Sequence, residues 1–162
     1  MGLGRFDGEQ ISWLYEDQLQ NTPSGGSFGF RSILKDKDGL YWINNSKYRY
    51  NIKSTNTIRN GISYIDYERK KGVAFINGDN EPFYPFFMSM VEDDEGNLWG
   101  ATYESGVYKY DGKKLMHYPV KIGDKEVYLF AIYKDKQGNL WLGSHNAGAL
   151  KFNGKTFEPF KI

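Results

Sequence analysis

One segment of this chain keeps returning, and its return limits the architecture more than any other feature. FRSILKDKDGLYW from Phe30 to Trp42, FMSMVEDDEGNLW from Phe87 to Trp99 and LFAIYKDKQGNLW from Leu129 to Trp141 superimpose on one glycine: Gly39, Gly96 or Gly138. An aspartate (Asp36, Asp93, Asp135) stands three residues before that glycine and a tryptophan (Trp42, Trp99, Trp141) three after it. Further upstream, a small residue (Ser32, Ser89, Ala131) is followed by a large aliphatic one (Ile33, Met90, Ile132). Self-similarity at a fixed period is the signature of a repeat architecture. Trp99 and Trp141 are 42 residues apart, as are Gly106 and Gly148, which is the length of one propeller blade.

A second motif follows the first. Gly106-Val-Tyr-Lys-Tyr-Asp-Gly112 matches Gly148-Ala-Leu-Lys-Phe-Asn-Gly154 and, near the N-terminus, Gly2-Leu-Gly-Arg-Phe-Asp-Gly8. Gly61-Ile-Ser-Tyr-Ile-Asp66 reads as a weaker copy, preferred over the competing GVAFING at 72–78 because its distance to the next Asp-x-x-Gly turn fits better. Each unit therefore predicts four short strands, a to d. Strand a precedes the Asp-x-x-Gly turn, strand b carries the Trp, strand c is the Gly-x-x-x-Tyr/Phe stretch, and an Asp-Gly or Asn-Gly turn leads into strand d. Glycine at positive φ and Asp or Asn side chains that bond nearby backbone make such turns, and Asp-Gly or Asn-Gly between strands is a strong hairpin signal. No window sustains a 3.6-residue apolar period, so long helices are not expected.

Composition removes several function classes. Lys and Arg number 21 against 20 Asp and Glu, with a formal charge of +1, which gives nucleic acid or an anionic membrane no basic patch to bind. There is no Cys, so disulfides and Cys-ligated zinc are ruled out. No stretch approaches the ~20 apolar residues of a spanning helix, and MGLGRFDGEQ does not read as a signal peptide. Membrane insertion is not expected, and neither is a cofactor.

The stretches DDEGNLWGATYESGVYKYDG and DKQGNLWLGSHNAGALKFNG resemble the two-component regulator propeller repeat, whose pattern is roughly Asp-x-x-Gly-Asn-Leu-Trp-x-Gly-Thr followed by Gly-Gly-Leu/Val-x-x-Tyr-Asp-Gly. The resemblance covers nearly the whole chain. It departs in the first unit at Ile43 and Asn44, where the Gly-Thr element is absent, and that unit has 22 residues from Gly39 to Gly61. The resemblance implies a β-propeller of the kind found in bacterial sensor proteins, periplasmic or extracellular, in some cases coupled to carbohydrate-responsive histidine kinases. No kinase portion is present in this chain.

The expected fold is all-β, built of four-stranded antiparallel blades in one domain spanning 1–162. Residues 1–15 give a partial blade, 28–78 a first full blade with a long b–c loop over Asn44 to Asn60, 86–119 a second and 127–162 a third. About three and a half blades fall short of the roughly 4 to 8 of a closed ring. The chain is expected to be part of a larger propeller or a subunit that completes one by association, a homo-oligomer, because open strand edges are an aggregation liability.

In such a blade the a–b and c–d turns share one rim and the b–c and d–a loops the other. The first set is formulaic here. The second is irregular: Glu16 to Gly29, Asn44 to Asn60, Asp79 to Pro85, Tyr103 to Ser105, Pro119 to Glu126 and His145 to Ala147. Sites grafted onto a rigid scaffold favour irregular loops. Arg31, Tyr84, Phe86, Tyr103, Glu104, Tyr128, His145 and Asn146 are therefore the candidate ligand-binding residues, with aromatic planes and polar donors suited to a carbohydrate or a protein ligand.

Other readings weigh against overinterpreting the repeats. The recurrent Trp residues are expected to be core between blades. Acidic turns such as Asp36-Lys-Asp38-Gly read as caps, since the full calcium loop is missing. His117 and His145 lack metal-ligand spacing. Gly25-Gly-Ser27-Phe-Gly29 matches a nucleophile elbow in letters only, because a strand follows where a helix is required. The Pro82 to Phe87 run reads as core and loop packing. The expected function is a non-catalytic sensing, ligand-binding or interaction module. The alternatives are a propeller enzyme, a lyase or glycan hydrolase with Glu104 and His145 as acid and base, or a structural propeller fragment.

Overall fold

Asp36, Asp93 and Asp135 build the same turn three times. In each, one carboxylate oxygen accepts the main-chain N–H groups two and four residues ahead, at 2.8–3.0 Å. The other accepts the indole N–H of Trp42, Trp99 or Trp141 at 2.9, 2.7 and 2.8 Å. Gly39, Gly96 and Gly138 have φ of 80°, 79° and 84°, which only glycine adopts without strain. The aspartate thus caps its turn and fixes the ring that follows, so one acidic residue sets both the hairpin and the position of the largest core side chain.

The computed structural model describes residues 2–19, 29–76, 78 and 80–161. The strands in chain order are β1 (Leu3–Phe6), β2 (Ile11–Leu14), β3 (Ile33–Lys35), β4 (Tyr41–Ile43), β5 (Asn45–Arg59), β6 (Ile62–Lys71), β7 (Phe75–Ile76), β8 (Pro82–Phe83), β9 (Ser89–Glu92), β10 (Leu98–Ala101), β11 (Val107–Tyr110), β12 (Leu115–Tyr118), β13 (Lys121–Ile122), β14 (Lys125–Glu126), β15 (Leu129–Lys134), β16 (Leu140–Ser144), β17 (Ala149–Phe152) and β18 (Phe157–Pro159). A single 3-10 turn, Asp17–Leu19, is the only helical element among the described residues. The fold is all-β and propeller-like. Two blades, β9 to β12 and β15 to β18, are four-stranded antiparallel meanders.

The first blade differs. Its strands β3 to β6 continue into the N-terminal hairpin, because β2 pairs in parallel with β6 at Trp13 and Tyr64, giving a six-stranded sheet. A buried hydrogen bond of 2.9 Å between the hydroxyls of Ser12 and Ser63 locks this junction. The sheet curls, so that Leu3 and Leu14 join Ile43, Tyr50 and Ile65 in one cluster with Leu19.

The long b–c loop expected over Asn44 to Asn60 does not exist, and Gly61 to Asp66 is not strand c. Residues 45–59 are strand β5, which pairs with β4 and β6, and the 62–71 segment is the fourth strand. Asn60 and Gly61, at φ 50° and 77°, form the two-residue turn between them; two positive φ values at an Asn-Gly pair are what a right-twisted hairpin needs. At the other end Asn44, φ 59°, reverses the chain so tightly that Ile43 faces Asn45 directly. Its buried side chain accepts the N–H groups of Arg31 and Ser32 and donates to the carbonyls of Leu19 and Gly29. Asn44 thus occupies the place of the absent Gly-Thr element with a residue that ties four chain positions together.

The expected tryptophan role is seen for Trp42 and Trp99, whereas Trp141 is half-buried and meets Phe160 of its own blade. Trp42 meets Tyr110 of the next blade at 5.2 Å, and Trp99 meets Phe152 and Phe157 of the blade after it at 5.1 and 6.3 Å. Each Trp also lies under a strand-c cation: Arg49, Lys109 or Lys151, at 5.7, 5.0 and 5.1 Å. The largest core cluster joins the second and third blades through Trp99, Ala101, Val107, Leu129, Leu142 and Leu150.

Candidate functional site

The loop after β10 begins with a local clamp. Thr102 Oγ1 donates to the Gly106 carbonyl (2.8 Å) and accepts the Ser105 N–H (3.0 Å), so Tyr103, Glu104 and Ser105 bulge outward. The next blade repeats the device, Ser144 bonding the Gly148 carbonyl and the Ala147 N–H, and pushes His145 and Asn146 outward in the same way. Main-chain bonds from Leu129 N–H to the Tyr103 carbonyl and from His145 N–H to the Tyr128 carbonyl bring these loops together.

The result is an aromatic platform. Tyr103 stacks on Tyr128 with centroids 5.1 Å apart and planes at 29°, and tilts against Phe130 at 5.5 Å. His145 stands edge-on to Phe130 at 6.0 Å. Tyr103 and Phe130 remain 37% and 46% exposed, enough free ring surface to meet a ligand. The Asn146 amide is committed to the scaffold: it accepts the Tyr128 N–H and donates to the Glu126 carbonyl.

Beside the platform lies a cleft of about 570 Å³ between the β7–β8 ribbon and the second blade. Phe75, Phe83, Tyr108 and His117 line it, with Glu104, Lys121 and Glu126 at its polar positions. His117 stacks on Tyr108 at 4.7 Å, its Nε2 lies 2.5 Å from the Ser105 carbonyl, and Phe75 meets both rings edge-on. Burial pushes the Tyr108 hydroxyl above its ordinary pKa, keeping it protonated. Lys121 and Glu126 pair at 2.6 Å on the β13–β14 ribbon, within the segment predicted to be an irregular loop.

Of the residues expected from sequence, the structure gathers Tyr103, Tyr128, His145 and Asn146, and places Glu104 next door in the cleft. It does not gather the others. Arg31 is exposed just before β3, and its main-chain N–H donates to Asn44 Oδ1. Tyr84 is half-buried in the loop after β8, and Phe86 forms a backbone bridge with Asn45. Glu104 and His145 share no contact among the described residues, and no group of His, Cys, Asp and Glu there is arranged to hold a metal ion. Gly25 to Phe28 of the elbow-like motif lie outside the described residues.

Sequence reasoning passed over Phe130 and Phe75, and read Phe83, in the Pro82 to Phe87 run, as core and loop packing, whereas it lines the cleft. Phe130 sits where the β15–β16 register shifts, between Leu129 and Ala131, so strand alternation does not reveal which way it points. Phe75 and Phe83 face each other across β7–β8; apolar residues flanking the turn-rich 77–81 stretch were the available signal.

Residues 121–146, spanning the β13–β14 ribbon through the loop of His145, match the family described as two component regulator propeller. The chain carries a two component regulator propeller repeat. No curated protein matches it. Among solved structures, PorZ, a surface component of the type-IX secretion system of Porphyromonas gingivalis, superimposes on 94% of the propeller chain with a TM-score of 0.60 and 12% identity. A protein of unknown function from Dyadobacter fermentans superimposes on 86% at 0.50 and 16% identity. The extracellular domain assigned to a one component system of B. thetaiotaomicron aligns over 88% at 0.48 and 22% identity. The propeller chain spans 23%, 51% and 19% of the lengths of these three structures. At such identities the likeness to the first two is one of fold.

Proposed function

We propose that this propeller chain is a non-catalytic ligand-binding module that recognises carbohydrate through the platform of Tyr103, Tyr128 and Phe130. The observation that carries the reading is the exposure of two rings that the fold has already fixed in place. Apolar ring faces match the C–H faces of a sugar, and a preformed site loses little side-chain entropy on binding. His145 at the platform edge supplies a hydrogen-bonding group. The family match to a regulator propeller supports a sensing role outside the cytoplasmic membrane, where such a platform meets environmental glycans.

Isothermal titration against a panel of neutral oligosaccharides tests this. Tyr103→Ala and Phe130→Ala should each weaken binding by about tenfold or more, the scale of a lost aromatic anchor, with an unchanged far-UV spectrum. Binding that is indifferent to both variants sinks the platform. The Glu104→Ala, His145→Ala double variant should leave the fold intact and weaken binding less than either ring variant; a measured turnover that vanished in it would overturn the non-catalytic reading.

A further inference from the structure

We propose that the cleft between the β7–β8 and β13–β14 ribbons binds a small alkylated ammonium ion, its charge facing the Glu104 carboxylate and its methyl groups lying against Phe75, Phe83 and Tyr108. The carbohydrate reading of the platform makes no use of this cleft, and the proposal does not rest on that reading. Each ribbon joins two consecutive blades, so the chain itself walls the cleft on both sides. Its volume of about 570 Å³ is that of a small-molecule site.

Four rings are fixed around it. Phe75 and Phe83 are direct cross-strand partners, which puts both side chains on one face of their ribbon. Both meet Tyr108, with centroids at 5.4 and 6.3 Å and planes at 74° and 47°, so the rings enclose a corner instead of stacking flat. His117 stacks on Tyr108, and its Nε2 donates to the Ser105 carbonyl, which ties the ring to the bulge that carries Glu104. Rings held in this way need little reordering when a ligand arrives. The face of an aromatic ring carries partial negative charge and attracts a cation within about 6 Å of its centroid.

The polar groups select the sign of the ligand. Lys121 is the one ammonium lining the cleft among the described residues, and Glu126 holds it at 2.6 Å. Glu104 has neither an ion pair nor a hydrogen bond among the described residues, which leaves one carboxylate uncompensated beside the rings. Tyr108 is 4% exposed, and its hydroxyl likewise has no hydrogen-bond partner there, so it is available to a polar group on the same ligand. A metal ion needs several ligating groups, and among the described residues none are gathered to join Glu104. An alkylated ammonium keeps its charge while presenting apolar methyl groups, the combination that rings and a single carboxylate match. A neutral sugar or an apolar side chain leaves Glu104 without a counter-charge.

Chemical-shift titration of the isotope-labelled chain with choline chloride, at an ionic strength held constant with sodium chloride, tests the proposal. The neutral probe is the carbon isostere of choline, an alcohol with a tert-butyl group in place of trimethylammonium. Choline should move the amide signals of Glu104, Ser105, Tyr108 and His117, and the isostere should bind about fivefold more weakly or worse, the effect of losing one charge pair near a surface. Glu104→Gln should abolish that preference. Phe83→Leu, which keeps an apolar side chain at an exposed position but removes the ring, should weaken choline binding by about three- to thirtyfold, the range of a cation–π contact. Co-sedimentation with phosphatidylcholine vesicles, displaced by free choline, assigns the ammonium group to a lipid headgroup, and choline binding without it assigns a free solute. No shifts with choline, shifts only outside the cleft, equal binding of the isostere, or an unchanged preference in Glu104→Gln would each overturn the proposal.

Discussion

The aspartate of each blade turn is a small electrostatic device, and its consequences can be measured. The Asp135 carboxyl is pushed down to about 2 from an ordinary 3.8, first because the Trp141 indole donates to it and further by the amide of Asn139 and main-chain N–H groups, with burial acting in the opposite direction. For Asp93 burial is the largest influence and raises the pKa, but the Trp99 indole, Asn97 and Lys109 together outweigh it and leave the group lowered. A carboxyl whose folded pKa is depressed stabilises the fold fully above its ordinary pKa and loses that contribution as pH falls toward the folded value. The loss for Asp135 therefore runs from 3.8 down to about 2. In Asp135→Asn the side chain keeps its shape and loses its charge, so the stability gap to wild type should be widest near neutrality and shrink across that window. Urea unfolding at stepped pH reads this out, and a gap independent of pH would mean that the charge contributes nothing.

At the scale of elements, the β5–β6 hairpin shows both what a sequence discloses and what it conceals. The Asp-x-x-Gly turns and their tryptophans were legible because their chemistry is local: a carboxylate, a positive-φ glycine and a ring within six residues of one another. The first blade was misread because its strand c carries no glycine signature, and the motif at Gly61 to Asp66 drew the alignment one strand too far. Asn60-Gly61, a turn signal in its own right, was the evidence against that alignment. The platform was half legible for a related reason. Tyr103 and His145 lie where loops were expected and Tyr128 just after one, whereas Phe130 is exposed by a register shift that depends on pairing between strands. Gly61→Ala tests the hairpin: a side chain at φ 77° costs about 1–2 kcal/mol of left-handed strain, which should appear as that much lost unfolding free energy. Full wild-type stability would show that the turn readily relaxes to another geometry.

Across the whole molecule, stability is distributed unevenly because each blade face is buried by the next. Trp99 is closed over by Tyr118, Phe152 and Phe157, and the surrounding cluster spans both later blades. The β7–β8 and β13–β14 ribbons are two-residue pairs at the surface, with few side chains to hold them shut. Local opening costs least where few buried apolar contacts are lost. Native-state hydrogen exchange should therefore find the amides of β10, β11 and β16 opening only with global unfolding, and those of the two ribbons opening at a fraction of that free energy. Trp99→Ala sharpens the distinction. Removing a buried indole from a packed interface costs about 3–5 kcal/mol, and here the cavity lies between two blades instead of within one. Protection should then fall together in β10, β11, β16 and β17 while the β5–β6 hairpin, which packs on the separate Tyr50 and Ile65 cluster, keeps its own. A loss of protection confined to the second blade would mean that the blades are stable one at a time, and that the tryptophan fills space between them without coupling them.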